Sequence, residues 1–263
     1  MSEAHGASGL PRSSVTVRRG TRTALAELRM SDTASSRLHP NSQGERKFLL
    51  EAETARAIWL QASQRLRPHL WVNDRPITYH RTTYFDTPDH AYFRGTGPIA
   101  QRIRVREYAS ARAPGSPLEL ERTCYLELKR SAHGRRSKMR LEIDAGEVDR
   151  HLAQVGETLL PCLTTWYQRA ALTDDTESIR ITLDTDLHYC PPQKIGAPCG
   201  SAPDAFARVC SPILEIKTWG PLPGWLRALV RSIQEATDFS KFRAGMQAAA
   251  VYASGPQRAA HAG

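Results

Sequence analysis

Several short runs of this chain alternate charged and apolar residues with period two, which restricts them to strands with one charged and one apolar face. Arg102, Arg104 and Arg106 share one face of such a strand, and Ile103 and Val105 share the other. Glu127 and Lys129 oppose Leu126 and Leu128, while Lys138, Arg140 and Glu142 oppose Met139, Leu141 and Ile143. Glu215 and Lys217 oppose Leu214 and Ile216; Glu45 with Lys47, and Arg180 with Thr182 and Asp184, repeat the pattern. One such strand is what any antiparallel sheet with a wet face produces. Six of them, with the polar positions given to Arg, Lys and Glu, demand more, because like charges on neighbouring strands destabilise a sheet. A surface that gathers positive charge at that cost points to a polyanion that neutralises it.

The same periodicities place the elements. Strands are expected at residues 45–50, 81–86, 101–108, 124–130, 138–144, 165–172, 178–184 and 212–218. A helix is expected over 52–66, with Ala55, Trp59, Ala62 and Leu66 as its stripe and Pro68 as its stop. Val148, Leu152, Val155 and Leu159 predict a second helix over 146–159, and Trp225, Leu229 and Ile233 a third over 221–236. The Pro/Gly/Ala-rich stretches 109–122 and 187–211 read as loops. Residues 1–40 hold six Arg, three acids, seven Ser and no aromatic residue, so they read as a disordered basic leader. A folded domain is expected over 41–253, followed by a fraying tail over 254–263. Strands without βαβ order, and helices set between groups of them, make this an α+β chain built on an antiparallel sheet.

Composition narrows the function. The net charge of +9 comes from 30 Arg and 6 Lys, so the few lysines mark places that need a compact point charge. No apolar run is long enough to span a membrane, and no secretory signal opens the chain, so a cytoplasmic protein is expected. Five cysteines, without CxxC, suggest reduced thiols; His188, Cys190 and Cys199 make a poor metal set in a Pro/Gly-rich loop. There is no P-loop, GxSxG or HExxH sequence. Single-stranded nucleic acid would want stacking platforms, and the basic faces offer mainly Tyr84, Tyr125 and Tyr167. Interleaved carboxylates instead suit a divalent cation bridging to phosphates, so a phosphate chain with a metal satisfies both signs of charge.

Ten motifs in register resemble the vacuolar transporter chaperone (VTC) catalytic domain over residues 44–245. They are Glu45-Arg-Lys47-Phe, Tyr84-Phe-Asp86-Thr, Arg104-Val-Arg106-Glu-Tyr108, Leu126-Glu-Leu-Lys129-Arg, Lys138-Met-Arg140, Trp166-Tyr167-Gln-Arg169, Ile181-Thr-Leu-Asp184, Leu214-Glu215-Ile-Lys217, Pro223-Gly-Trp225-Leu and Ser240-Lys241-Phe. The resemblance implies a triphosphate tunnel fold: an eight-stranded antiparallel β-barrel with flanking helices, its charged residues lining the lumen. It implies a polyphosphate polymerase that takes the γ-phosphate of ATP. By motif match, Lys47, Arg104, Arg106, Lys129, Arg169 and Lys241 would be catalytic. Lys138, Arg140, Tyr167 and Ser240 would bind phosphate, and Glu215 would hold Mn²⁺ or Mg²⁺, with Lys217 pairing with Glu215. Arg102 and Arg130 stay outside that set, because alternation or the chain turn is able to carry them outward. The first strand reads Glu45-Arg-Lys47 where hydrolases and cyclases of the wider superfamily read Glu-x-Glu-x-Lys, which argues against a triphosphatase. A polymerase, a hydrolase of triphosphate or polyphosphate, and a non-catalytic polyphosphate or nucleotide binder all stay open on the residues themselves.

Overall fold

The computed structural model describes residues 43–70, 75–96, 100–111, 118–132, 135–198 and 204–254. Its strands are β1 (Gln43–Leu49), β2 (Arg67–Pro68), β3 (Ile77–Asp86), β4 (Ala100–Ala111), β5 (Leu118–Ala132), β6 (Arg135–Asp144), β7 (Leu160–Thr173), β8 (Ile179–Cys190), β9 (Ala207–Val209) and β10 (Ile213–Trp219). The helices are α1 (Ala52–Ser63), α2 (Ala91–Arg94), α3 (Val148–Ala153), α4 (Gly224–Val230) and α5 (Lys241–Ser254). The strands make one antiparallel sheet in the order β1-β10-β8-β7-β3-β4-β5-β6, with β2 added beside β7 and β9 beside β8. No pairing joins β1 to β6 among the described residues, so the hydrogen-bonded sheet is an open path of eight strands, where a closed barrel was expected.

Several elements differ from the sequence expectation. The stretch 109–122 is mostly strand, because β4 runs to Ala111 and β5 begins at Leu118. Residues 187–211 include the end of β8 and the whole of β9. The helix expected over 221–236 is the seven-residue α4, and the one over 146–159 is a 3₁₀ turn, Ala145–Glu147, followed by α3. α5 was not expected at all. The leader over 1–40 lies outside the described residues, as does the tail beyond Ser254.

Register then sorts the side chains. Arg104 lies opposite Tyr84 on β3 and Glu127 on β5, and Glu127 opposite Arg140 on β6. A slip by one residue would exchange the charged and apolar faces of a strand, so burying the apolar face pins the charged one. On the outer face, α1 and α4 cover Phe48, Leu172, Ile181, Leu214 and Ile216 with Ala55, Ile58, Ala62, Leu226 and Val230. Further round, α3 brings Val148 and Leu152 onto Ile103, Val105, Leu126, Leu128, Leu141 and Ile143. Arg81 and Glu107 interrupt this apolar face as a buried pair joined by bonds of 2.6 and 2.7 Å. The Gly196 N–H also donates to Glu107 Oε1, at 2.7 Å, and so ties the segment after β8 to the sheet.

α5 does something different, for it packs on the charged face. Phe242 and Met246 meet Tyr84, Leu163, Leu187, Tyr189 and Ile213. A register shift between Trp166 and Gln168, beside Asp186 at φ 54°, turns Leu187 and Tyr189 toward this helix. Gly245 allows the close approach: a Cβ there would lie 2.5 Å from Leu163 Cδ2 and 2.7 Å from Tyr189 Cδ1. No helix among the described residues is long and apolar enough to cross a membrane.

On an exposed helical site Gly→Ala is stabilising by up to about 1 kcal/mol. At Gly245 the sign should reverse, with overpacking costing roughly 1–3 kcal/mol. A denaturant midpoint for Gly245→Ala at or above that of the wild type would refute this packing.

Candidate functional site

The sheet curls so that the charged faces of all eight principal strands meet one cavity of about 740 Å³. Twelve Lys and Arg side chains line it against five carboxylates, so it stays strongly cationic with every carboxylate ionised. Each residue singled out from the motifs faces this cavity: Lys47, Arg104, Arg106, Lys129, Arg169 and Lys241; Lys138, Arg140, Tyr167 and Ser240; and Glu215. Five of the six lysines are there, while Lys194 lines a separate, less polar groove of about 920 Å³ between α3 and residues 193–198. Arg102 also faces the cavity. Arg130 does not; its Nε donates to Gln101 Oε1 at 2.8 Å.

Buried carboxylates organise the cations. Glu127 on β5 is 1% exposed, and Arg104 donates to its Oε2 at 2.5 Å through Nη2 and 2.7 Å through Nε. Lys138, Arg140 and Arg106 stand 3.8, 3.9 and 4.0 Å from the same carboxylate. Burial alone would raise the Glu127 pKa, but Arg104, Arg106 and Lys138 hold it far below the usual carboxylate range. Asp184 on β8 does the same at the α5 end. Arg169 grips it with two bonds of 2.5 and 2.7 Å, and Lys241 Nζ donates to Oδ2 at 2.5 Å. Burial opposes ionisation there too, and Arg169 and Lys241 overcome it.

A third group spans β1 and β10. Lys217 lies 2.9 Å from Glu215 and 3.6 Å from Glu45, and Lys47 lies 2.6 Å from Glu45. Against burial, Lys217 and Arg169 bring the Glu215 pKa down to about 2. Among the described residues no three His, Cys, Asp or Glu side chains gather into a metal cage. Glu215, with Glu45 electrostatically coupled to it, is a one- or two-carboxylate set. That suits a hard cation which draws its other ligands from water and phosphate, and it does not suit an all-protein site. His188 pairs instead with Asp186 at 3.0 Å and Cys190 is a buried free thiol, while Cys199 lies outside the described residues.

Arg102, Lys129 and Arg180 make no ion pair among the described residues, although all three line the cavity. Lys129 stands in register between Arg102 on β4 and Lys138 on β6. Burial, and then the charges of Arg104, Lys217 and Lys138, push its pKa down to about 7. Lys217 on β10 acts electrostatically on both Lys129 of β5 and Lys138 of β6, across the cavity that all three line.

Three features escaped the sequence reading. Glu127 is a cation hub, a role that appears once β4, β5 and β6 are paired. His80 and Tyr108 form part of the cavity floor. The His80 ring is stacked on Tyr167, with centroids 4.8 Å apart, and meets Tyr108 edge-on at the same distance. Its Nε2 is 3.0 Å from Thr78 Oγ1. Burial, reinforced by Arg169, Arg106 and Lys241, keeps the imidazole pKa well below its ordinary value. Alternation of Thr78, His80 and Thr82 with Tyr79, Arg81 and Thr83 puts its one charge, Arg81, on the outer face, so the sequence signal did not mark this strand's inner face.

Two titrations follow from these causes. Lys129 has a folded pKa of about 7, below its unfolded value, so the unfolded chain binds more protons above pH 7 and stability rises with pH from there toward about 10.4. Lys129→Met should therefore raise the melting temperature of the ligand-free protein at pH 7 and flatten that rise, and a lowered melting temperature would contradict it. Glu215 slopes the same way at lower pH: its depressed pKa gives stability that is present above the ordinary value of 4.5 and lost as pH falls toward about 2. Glu215→Gln should weaken that acid dependence, measured as melting temperature against pH.

Among solved structures, the PH1819 protein from Pyrococcus horikoshii OT3 aligns at 14% identity with a TM-score of 0.48, over 78% of this chain and 99% of that chain. No curated protein matches. Residues 150–250 match the VTC domain, the family that the ordered motifs resemble, and that segment supplies Tyr167, Arg169, Glu215, Ser240 and Lys241 to the cavity.

Proposed function

We propose that the protein is a metal-dependent polyphosphate polymerase, transferring the γ-phosphate of ATP to a growing inorganic polyphosphate chain inside the cavity. The carrying observation is the unneutralised charge: Arg102, Lys129 and Arg180 stand in the lining with no ion pair among the described residues, beside guanidinium groups already oriented by Glu127 and Asp184. A chain of phosphates supplies regularly spaced negative charge along such a lining. The match of residues 150–250 to the VTC domain supports the same reading.

Phosphoryl transfer needs alignment and charge neutralisation more than a covalent nucleophile. In this reading Lys47, Arg104, Arg106, Lys129, Arg169 and Lys241 surround the reacting phosphates, while Lys138, Arg140, Tyr167 and Ser240 hold the acceptor chain. Arg104 and Arg169 each give one edge of the guanidinium to a buried carboxylate, which fixes the fork before substrate arrives. Glu215, with Glu45 beside it, would hold Mn²⁺ or Mg²⁺, which supplies Lewis-acid neutralisation of phosphate oxygens when bound. The two sheet ends would complete a tunnel through side chains and substrate, without a β1–β6 ladder. Four free thiols among the described residues suit a reducing cytoplasm.

The direct test incubates purified protein with γ-labelled ATP and Mn²⁺ and resolves the products on a gel. A ladder of labelled polyphosphate with released ADP is expected. Free labelled phosphate without a ladder would make the protein a hydrolase, and no turnover even with a phosphate primer would make it a binder. Arg106→Gln should weaken tripolyphosphate binding at least about tenfold, since a charge-assisted hydrogen bond contributes roughly 1.5–3 kcal/mol. Glu215→Gln should remove metal-dependent turnover and keep chain binding; unchanged turnover would take Glu215 out of the metal role.

A further inference from the structure

Tyr84 has no part in the site as assigned so far, yet its placement is unusual for a core tyrosine. It lies on β3 opposite Arg104 of β4 and Leu163 of β7. The side chain is 2% exposed, and it lines the phosphate cavity. Its ring stacks on Phe242 of α5 with centroids 5.0 Å apart, and Phe93 of α2 packs edge-on against the far partner at 6.3 Å. The ring is therefore held from the α5 side.

The hydroxyl, by contrast, has no hydrogen-bond partner among the described residues. The ring is buried, while the hydroxyl is not shut off from water and opens to the cavity that Tyr84 lines. The Tyr92 hydroxyl instead donates to Glu157 at 2.6 Å. Around Tyr84 the charged neighbours are Arg104, Arg102 and Arg106 from β4 and Lys241 from α5, with the Tyr189 phenol on β8 as the other titratable group. Burial raises the Tyr84 pKa, but these four cations outweigh it and bring it below the usual phenol value. The packing thus leaves an O–H donor on the cavity wall among Arg102, Arg104, Arg106 and Lys241, with no acceptor among the described residues.

We propose that Tyr84 is a further phosphate-binding residue, whose hydroxyl donates a hydrogen bond to an oxygen of the phosphate chain gathered by Arg102, Arg104 and Arg106; this rests on the polyphosphate reading of the cavity. A phenol suits the position because it adds a directional donor without adding a fifth positive charge. Phe242 behind the ring fixes its direction, so the donor is in place before the anion arrives. Tyr84 would complement Tyr167, which faces the cavity from the neighbouring strand β7 beneath Lys241.

The test compares wild-type protein and Tyr84→Phe, which keeps the ring and its stacking on Phe242. Tripolyphosphate binding is measured by calorimetry, with melting temperature and the phenol difference absorbance on binding. The expected result is binding weakened about tenfold, or ~1.4 kcal/mol, an unchanged melting temperature, and loss of a phenol absorbance change seen in the wild type. Equal affinity in the two proteins, with tight binding by the wild type, would overturn the Tyr84 assignment and leave the polyphosphate reading standing. A marked fall in melting temperature for Tyr84→Phe would show that the hydroxyl is satisfied within the protein, which also overturns it. No binding by the wild type would overturn the reading of the cavity itself.

Discussion

Two buried carboxylates, Glu127 and Asp184, allow one sheet face to hold so much positive charge. Arg102, Arg104 and Arg106 are two residues apart on β4, and Lys129, Lys138 and Arg140 face them across β5 and β6. Without an anion in their midst these groups would repel across spacings of a few ångströms in a partly desolvated space. Glu127 answers four of them, and Asp184 answers two further cations, Arg169 and Lys241. Buried pairs of this kind are poor evidence of net stability, since desolvation offsets much of the attraction. Their clearer effect is directional: each clamps one edge of a guanidinium and sets the angle at which the remaining donors enter the cavity.

The rest of the fold follows from having committed the inner face to charge. The apolar residues that usually sit between two sheets, or inside a barrel, must be buried on the outside. α1, α4 and α3 provide that cover, so the principal cores lie between the sheet and its surrounding helices. α5 is the exception, and it joins packing to chemistry. Its first residue, Lys241, lines the cavity and binds the buried Asp184, and its second, Phe242, packs on Tyr84. The depth to which Gly245 lets the helix sink on Leu163 and Tyr189 therefore also sets the position of Lys241 and Ser240. Packing and site are coupled over four residues.

What was legible in the sequence had a local signature. Period-two alternation of Arg, Lys and Glu with Leu, Ile and Val marked the inner faces of β1, β4, β5, β6, β8 and β10, because charge contrast survives without knowledge of pairing. The identity of partners did not. Interleaved carboxylates looked like cation ligands, yet Glu127 and Asp184 are committed to guanidinium and ammonium groups from strands far away in sequence. Arg81 and Glu107 occupy the apolar side of their strands, where alternation gives no hint that they neutralise one another. β4 and β5 continue into stretches whose Pro, Gly and Ala content resembled a loop, since ladder hydrogen bonds are indifferent to composition. α5 was invisible for another reason: its contact surface is Phe242, Gly245 and Met246 in an alanine-rich frame, so small residues replace the broad apolar stripe that signals a surface helix.

The crowding of positive charge along the cavity lining carries a cost that an anionic ligand relieves. Lys129, pushed toward neutrality first by burial and then by its cationic neighbours, is the local measure of that cost, and the pKa values of Arg102 and Arg180 are lowered for the same reasons. A ligand that neutralises these groups recovers the repulsion as binding free energy and stabilises the fold by mass action, by about 2.7 kcal/mol at a hundred times its Kd. A neutral solute recovers none of it. A single small anion reaches one end of a lining that extends from Lys241 to Lys138. An extended anion with charge at every unit can meet the cations of β4, β5, β6, β7, β8 and β10 together. A phosphate polymer, the ligand proposed above, would meet that charge along its length, where an isolated phosphate would meet only part of it.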